Sequence, residues 1–319
     1  MTRRLKGWSP NPDQMALWPK VSGNAINGLG EAVTRRPRPV YWHPPETLAH
    51  GPLQKWFYSR PTSEEVKAAR AERQGALDLQ LEPLSPVREE RSAEEWTREV
   101  KRAARDAGAE LVGVTAVRSE WFFENQPEPT WKWIVMLGVA QDYEAMRTAP
   151  EPPSNAEVVR QYGRGIRIAK TLASWLRVRG WDASPHGGPM AGPLVLIPPA
   201  IECGFGELGK HGSLINKTYG SNFRLACVMT DVPLLSDVLE KFGAEDFCKL
   251  CRLCADECPP DAILPEQQLV RGETRWYVDF DKCLPYFNEN YGCGICMVVC
   301  PWSRPGVGET LLQKLARRK

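Results

Sequence analysis

Eight of the ten cysteines fall between Cys248 and Cys300, in two runs whose spacing points to iron–sulfur chemistry. The first is Cys248-x2-Cys251-x2-Cys254-x3-Cys258-Pro259, and the second is Cys283-x9-Cys293-x2-Cys296-x3-Cys300-Pro301. The first run has the bacterial ferredoxin pattern. Three thiolates at intervals of three residues wrap one cubane, and the fourth cysteine reaches the other cluster. The expected assignment is therefore crossed. Cys248, Cys251, Cys254 and Cys300 hold one [4Fe–4S] cluster, and Cys258, Cys283, Cys293 and Cys296 hold the second. A zinc site would instead show two CxxC pairs separated by ~15–20 residues. Pro259 and Pro301 break the helix after each fourth cysteine and fix the chain's exit. The wider gap between Cys283 and Cys293 reads as a loop.

The remaining cysteines, Cys203 and Cys227, are expected to be buried and inert. None of the four histidines lies in a metal spacing, and His211, in a glycine-rich loop, suits a structural hydrogen-bonding role. Gly204-Phe205-Gly206-Glu207-Leu208-Gly209 has the bare glycine spacing of a dinucleotide fingerprint. The prolines before it and Lys210-His211-Gly212 after it do not fit a phosphate turn between strand and helix. Two adjacent clusters conduct electrons but do not transform a substrate, so the chain before Cys248 should receive those electrons.

The elements that must position this chemistry begin in a proline-rich stretch of weak periodicity, residues 1–90. Its aromatics, Trp42, Trp56, Phe57 and Tyr58, suit anchors of a coil wrapping the core, and Glu64 to Arg73 reads as a solvated helix. Ser92-Ala93-Glu94-Glu95 is a capping box that opens a helix ending near Gly108. Leu111 to Val117 and Trp133 to Val139 read as buried strands, and Leu194 to Ile197 as another. A second capping box, Ser154-Asn155-Ala156-Glu157, precedes Val159, Tyr162, Ile166, Ala169, Ala173 and Leu176. Those residues form one apolar helix face, stopped at Gly180. Phe223, Leu225, Cys227 and Met229 share one strand face, so Arg224 points the other way. The pattern predicts an α+β fold in three parts: an N-terminal wrap over 1–90, a core over 91–240 and a cluster module over 241–319.

Composition narrows the function classes. The chain has 319 residues, with 41 Lys+Arg against 39 Asp+Glu and a net charge of +2, so no basic nucleic-acid face is implied. Its apolar runs are too short to span a bilayer. Arg3 and Arg4 could open an export signal, but prolines follow instead of an apolar stretch, so a cytoplasmic location is expected. Reducing conditions there also argue against disulfides.

A series of short motifs carries a family resemblance. Gly204 to Gly212, then Tyr219-Gly220, Phe223-Arg224-Leu225, Thr230-Asp231-Val232-Pro233-Leu234 and the ending Cys293-Gly294-Ile295-Cys296 through Ser303 occur in order. Together they resemble the corrinoid-dependent reductive dehalogenases, over roughly Ser92 to Pro305. The resemblance implies a nitroreductase-like core holding base-off cobalamin, with electrons passing through the two clusters to cobalt and a small organohalide as substrate. It places cofactor-binding positions at Gly206, Gly209, Gly212, Ser213 and Tyr219. No fused reductase is visible in the sequence, so an external electron donor such as ferredoxin or flavodoxin is expected.

The family's proton donor corresponds to Tyr162 and its helper to Arg224. A guanidinium close to a phenol favours the phenolate and makes the phenol a better acid. The plain alternatives are a core aromatic for Tyr162 and an ion pair with Asp231 for Arg224. The related epoxyqueuosine reductases share the cofactor logic, but their catalytic aspartate corresponds to Arg167, which cannot serve as that acid. Two other functions compete with dehalogenation: reduction of a non-halogenated substrate by the same cofactors, and simple electron transfer by a di-cluster protein.

Overall fold

The computed structural model describes residues 8–189 and 192–317; Arg3 and Arg4 lie outside them. The N-terminal stretch contains four helices, α1 Pro12–Ala16, α2 Gly23–Asn27, α3 Gly51–Ser59 and α4 Glu64–Asp78. It ties to distant parts of the chain. Asn24 Nδ2 donates to Asp279 Oδ1 at 2.8 Å, and the Ser85 N–H donates to the Arg177 carbonyl at 2.9 Å.

Helix α5, Ala93–Asp106, carries the expected capping box between Ser92 and Glu95. Strands β1 Leu111–Ala116 and β2 Trp133–Ala140 follow. A short helix, α6 Tyr143–Met146, leads to the long α7, Pro152–Arg177. Helix α7 starts before the second expected capping box. Pro152 and Pro153 occupy its first positions, and Ser154 Oγ donates to the Glu151 carbonyl. The Glu157 carboxylate is instead buried and accepts from the Asp142 N–H at 2.8 Å.

Strand β3, Ala183–Gly187, has no clear alternation in its sequence, since Pro185 and His186 interrupt it. The expected strand at Leu194 to Ile197 is not regular. Leu194 makes one bridge to Phe122, and α8, Ile197–Glu202, begins at once because Pro198 and Pro199 suit a first helical turn. The short strands β4 Glu207–Leu208 and β5 Leu214–Ile215 pair with each other, and β6 spans Phe223–Thr230.

The main sheet runs β1-β2-β6-β3 and is antiparallel throughout. One face packs Val135, Leu137, Ala226 and Val228 against Trp96, Ile168 and Leu172 of α5 and α7. The other packs Ile134, Met136, Cys227 and Met229 against Trp121, Leu194 and Phe205. Arg224 lies on the α7 side, as the alternation requires.

Helix α4 is not simply solvated. Val66 and Ala69 pack on Ala156 and Val159 of α7, so α7 lies between the sheet and α4. Gly163 permits this approach: a Cβ there would lie 2.9 Å from the Arg73 Cα.

The cysteine module contains α9 Ala244–Leu250, α10 Leu253–Asp256, a β7–β8 hairpin (Gln268–Val270 and Glu273–Arg275), α11 Phe280–Glu289, α12 Ile295–Val298 and α13 Val307–Ala316. The buried Glu207 carboxylate joins core and module. It accepts backbone N–H groups of Phe242 at 2.5 Å, Gly243 at 2.8 Å and Glu245 at 3.0 Å, at the start of α9. With the Ala244 N–H at 3.3 Å, four donors at the helix start thereby gain a buried negative partner. No helix among the described residues is long and apolar enough to cross a membrane.

Candidate active site

The cysteines gather in two sets that mix the sequence runs. Cys248, Cys251, Cys254 and Cys300 line one small cavity, together with Lys210 and His211. Cys258 packs with Cys283 and Cys296, and Cys293 lies close enough to Cys258 and Cys283 for their charges to interact. Burial pushes the Cys248 thiol up to about 11 and the Cys254 and Cys300 thiols up to about 12, with neighbouring thiolates adding to it. Iron ligation requires such thiols to give up their protons. Cys203 and Cys227 are buried in the core, and burial raises both thiols, as suits inert residues.

His211 shows why its loop is rich in glycine. The Ser213 N–H donates to Nδ1 at 3.2 Å, and Nε2 meets Ser221 Oγ at 3.2 Å. Ser221 Oγ in turn donates to the Leu214 carbonyl. The ring is therefore held as the neutral tautomer, and burial lowers it to about 4. Gly206 has φ +155°, and a Cβ there would lie 2.0 Å from the Ile215 carbonyl oxygen. Gly206, Gly209 and Gly212 thus shape the loop without lining a large cavity. Ser213 does line one, whereas Tyr219 packs on the sheet's outer face.

Two larger cavities meet beside the N-terminal half of α7, at Tyr162. The first, of about 620 Å³, has Cys283 in its wall; the second, of about 180 Å³, has Cys293. They share Trp42, Tyr162, Pro189, Arg224 and Phe287. The Arg224 guanidinium lies 5.5 Å from the centroid of the Tyr162 ring. Its hydrogen bond goes to the Phe223 carbonyl, and its Nε is buried without a partner. Asp231 instead accepts the Lys132 N–H, so the expected alternative ion pair is not formed.

Tyr162 is brought to this wall by the helical spacing of α7. Gly188 leaves room for it, since a Cβ there would sit 2.4 Å from the Tyr162 ring. Arg167 is exposed and lines neither cavity.

Sequence spacing did not reveal Arg70, Arg73 and Trp42 as site residues. The two arginines belong to a helix whose charge pattern resembles a solvated face, and Trp42 sits in irregular chain. Gly188 and Glu207 were equally hidden, because each acts by contact with a distant segment.

The large cavity fits a corrinoid. Val40, Leu196 and Leu225 give apolar wall for a ring system, Asn27 and Ser213 give polar contacts for amide groups, and a cluster cysteine stands in the wall.

Comparisons with known proteins agree with this architecture. Residues 247–303 match the 4Fe-4S dicluster domain family. The tetrachloroethene reductive dehalogenase of Desulfitobacterium hafniense is 29% identical over 272 residues, covering 67% of this chain and 49% of the relative. This chain therefore spans about half the length of such relatives. An epoxyqueuosine reductase of Cyclobacterium marinum is 35% identical over 122 residues, 33% of this chain and 36% of that one. A variant of the catabolic reductive dehalogenase NpRdhA superposes with a TM-score of 0.74 at 26% identity, over 92% of this chain and 42% of that one. A further solved reductive dehalogenase, described with a mechanism for B12-dependent dehalogenation, gives a TM-score of 0.72 at 24% identity, over 94% and 46%. The chain thus has an α+β fold with a C-terminal module for two [4Fe–4S] clusters, and over most of its length it resembles the reductive dehalogenases.

Proposed function

We propose that this protein is an iron–sulfur, cobalamin-dependent oxidoreductase that removes halogen from a small organohalide. The net reaction is R–X + 2 e⁻ + H⁺ → R–H + X⁻. The observation that carries this reading is the meeting of Tyr162 and Arg224 on the wall between two cavities, each with a cluster cysteine in its lining.

Cobalamin, when bound in the larger cavity, supplies the reducing metal that cleaves the carbon–halogen bond. The protein's own residues do the rest. Cys248, Cys251, Cys254 and Cys300 hold the cluster farther from the cavities. Cys258, Cys283, Cys293 and Cys296 hold the nearer one. An external protein such as a ferredoxin or flavodoxin delivers electrons to the first. Tyr162 Oη holds the proton that goes to carbon, and the Arg224 guanidinium stabilises the phenolate left behind. Apolar walls keep water from competing as proton source. A reducing compartment, the cytoplasm, suits ten free cysteines.

The match to epoxyqueuosine reductases favours a second reading, reduction of a non-halogenated substrate. Against it, the described lining of both cavities contains no Asp or Glu to act as the acid. The test is Tyr162→Phe in reconstituted protein. Halide release should fall by about 10²–10⁴-fold, the usual contribution of a positioned acid, while cluster and cobalamin spectra stay unchanged. Unchanged turnover removes Tyr162 from the chemistry.

A further inference from the structure

The turn between β4 and β5 carries a buried charge to which the proposed chemistry gives no task. The Gly212 N–H donates to the Gly209 carbonyl and the Gly209 N–H to the Ser213 carbonyl, both at 2.9 Å, so the turn is closed with Lys210 at its tip. Lys210 is only 2% exposed. Its ammonium stands 4.9 Å from the centroid of the Trp276 ring, which packs with Cys248, Cys300 and Trp302. An aromatic face attracts a cation, but by less than the hydration that burial removes. Lys210 forms no ion pair or side-chain hydrogen bond among the described residues. Glu207, on the same hairpin, directs its carboxylate to the backbone N–H groups of α9. His211, next in the chain, is kept neutral by burial and adds no charge. A cation sheltered in this way needs an anion to offset its desolvation.

The anion that fits is the first cluster. Its four cysteines line the same small cavity as Lys210. Burial raises the Cys248 and Cys254 thiols, and the Lys210 charge works in the opposite direction, towards thiolate. The Lys210 backbone N–H also donates to the Cys248 sulfur. Net charge and hydrogen bonds to sulfur are two of the quantities that set an iron–sulfur potential. Four thiolates make a [4Fe–4S] site net negative, and reduction adds one further negative charge without making or breaking a bond. A fixed cation beside it therefore stabilises the reduced form more than the oxidised form. Carboxylates stand near the second set instead: Asp261 acts on Cys258 and Asp279 on Cys283.

We infer that Lys210 is the counter-charge of the cluster held by Cys248, Cys251, Cys254 and Cys300, and that its ammonium makes this cluster easier to reduce. Lys210 lines neither of the larger cavities, so it acts on the reaction through the cluster and not on the substrate. The cluster takes one electron from the external donor, and the buried charge beside it favours that step. The inference rests on the cluster assignment of the proposed function and not on the nature of the substrate.

Potentiometry followed by EPR, on anaerobic protein carrying both clusters and cobalamin and without substrate, tests this. Lys210→Met and Lys210→Gln should each shift the reduction equilibrium of one cluster at least about tenfold towards the oxidised form, a drop of about 59 mV for one electron. The other cluster should keep its midpoint. The midpoint that moves should be the one missing from protein with Cys248→Ala and Cys300→Ala. Lys210→Arg, which keeps the charge, should stay close to wild type. Unchanged midpoints in the neutral variants overturn the inference. So does a shift shared equally by both clusters, a shift confined to the other cluster, or a shift in Lys210→Arg as large as in Lys210→Met. If neither neutral variant retains the first cluster, iron content decides: retention in Lys210→Arg supports a counter-charge, and loss there too overturns it. The two readings fail separately. A midpoint that depends on Lys210, with no halide released from any substrate, overturns dehalogenation alone. Halide release with midpoints indifferent to Lys210 overturns the counter-charge alone.

Discussion

Single residues in this chain act through burial as much as through chemistry. His211 illustrates it. Its folded pKa of about 4 lies below the ordinary value of 6.5, because burial penalises the charged ring. As pH falls below about 6.5, the unfolded chain takes up a proton that the folded chain refuses until about 4. Stability contributed by the neutral ring is therefore present above 6.5 and lost as pH falls through that window, by at most about 3 kcal/mol. Urea unfolding from pH 7 to pH 4.5 should show a shallower decline in His211→Gln than in wild type; parallel declines would contradict this origin. The hydrogen-bonding role of His211 was legible because its loop held no metal spacing, and the face on which Arg224 lies was legible from strand alternation, whereas its candidate role came from the family resemblance. Tyr162 was not. Its spacing on α7 suits a core aromatic equally well, and only the family resemblance separates the two readings. What puts its ring in a cavity is Gly188, whose importance is a distance to another segment.

At the scale of elements, the central sheet strands and both long helices of the core follow from periodicity, because each buries one regular face. The elements that were missed have other causes. Strand β3 is interrupted by Pro185 and His186, and the N-terminal helices are short or carry charge on most of their surface. The joint between core and cluster module is a single carboxylate, Glu207, at the start of α9. Cys248, a proposed cluster ligand, lies on that helix, so the joint positions it. Glu207→Ala should cost about 1–3 kcal/mol, since it leaves buried backbone donors unpaired. Iron loss on mild heating, followed by absorbance, should be faster than in wild type. Glu207→Gln should be intermediate, because its amide oxygen still accepts. Equal iron retention in all three proteins would show that α9 is held by other contacts.

At the scale of the whole molecule, the proposed electron route joins the two cysteine sets to the two cavities that share Tyr162, one lined by Cys283 and the other by Cys293. The crossed assignment has a direct test in paired substitutions. Cys248→Ala with Cys300→Ala should remove one cluster and leave about four iron atoms per chain. Cys296→Ala with Cys300→Ala should strike both clusters and leave far less. An uncrossed arrangement predicts the reverse pattern. The two runs made this legible in sequence, but the cavities were hidden. Their walls come from segments as distant as Trp42, Arg73, Tyr162, Arg224 and Cys293, which no local pattern connects. The central claim, that this assembly removes halogen reductively, is tested most directly by quantifying free halide and dehalogenated product together. The protein would carry both clusters and cobalamin and be supplied anaerobically with a low-potential reductant and a panel of chlorinated arenes and alkenes. The account predicts halide and product in equal amounts from at least one compound, with none formed when cobalamin is left out. Complete absence of halide across the panel, from protein shown to hold both clusters and cobalamin, would contradict it.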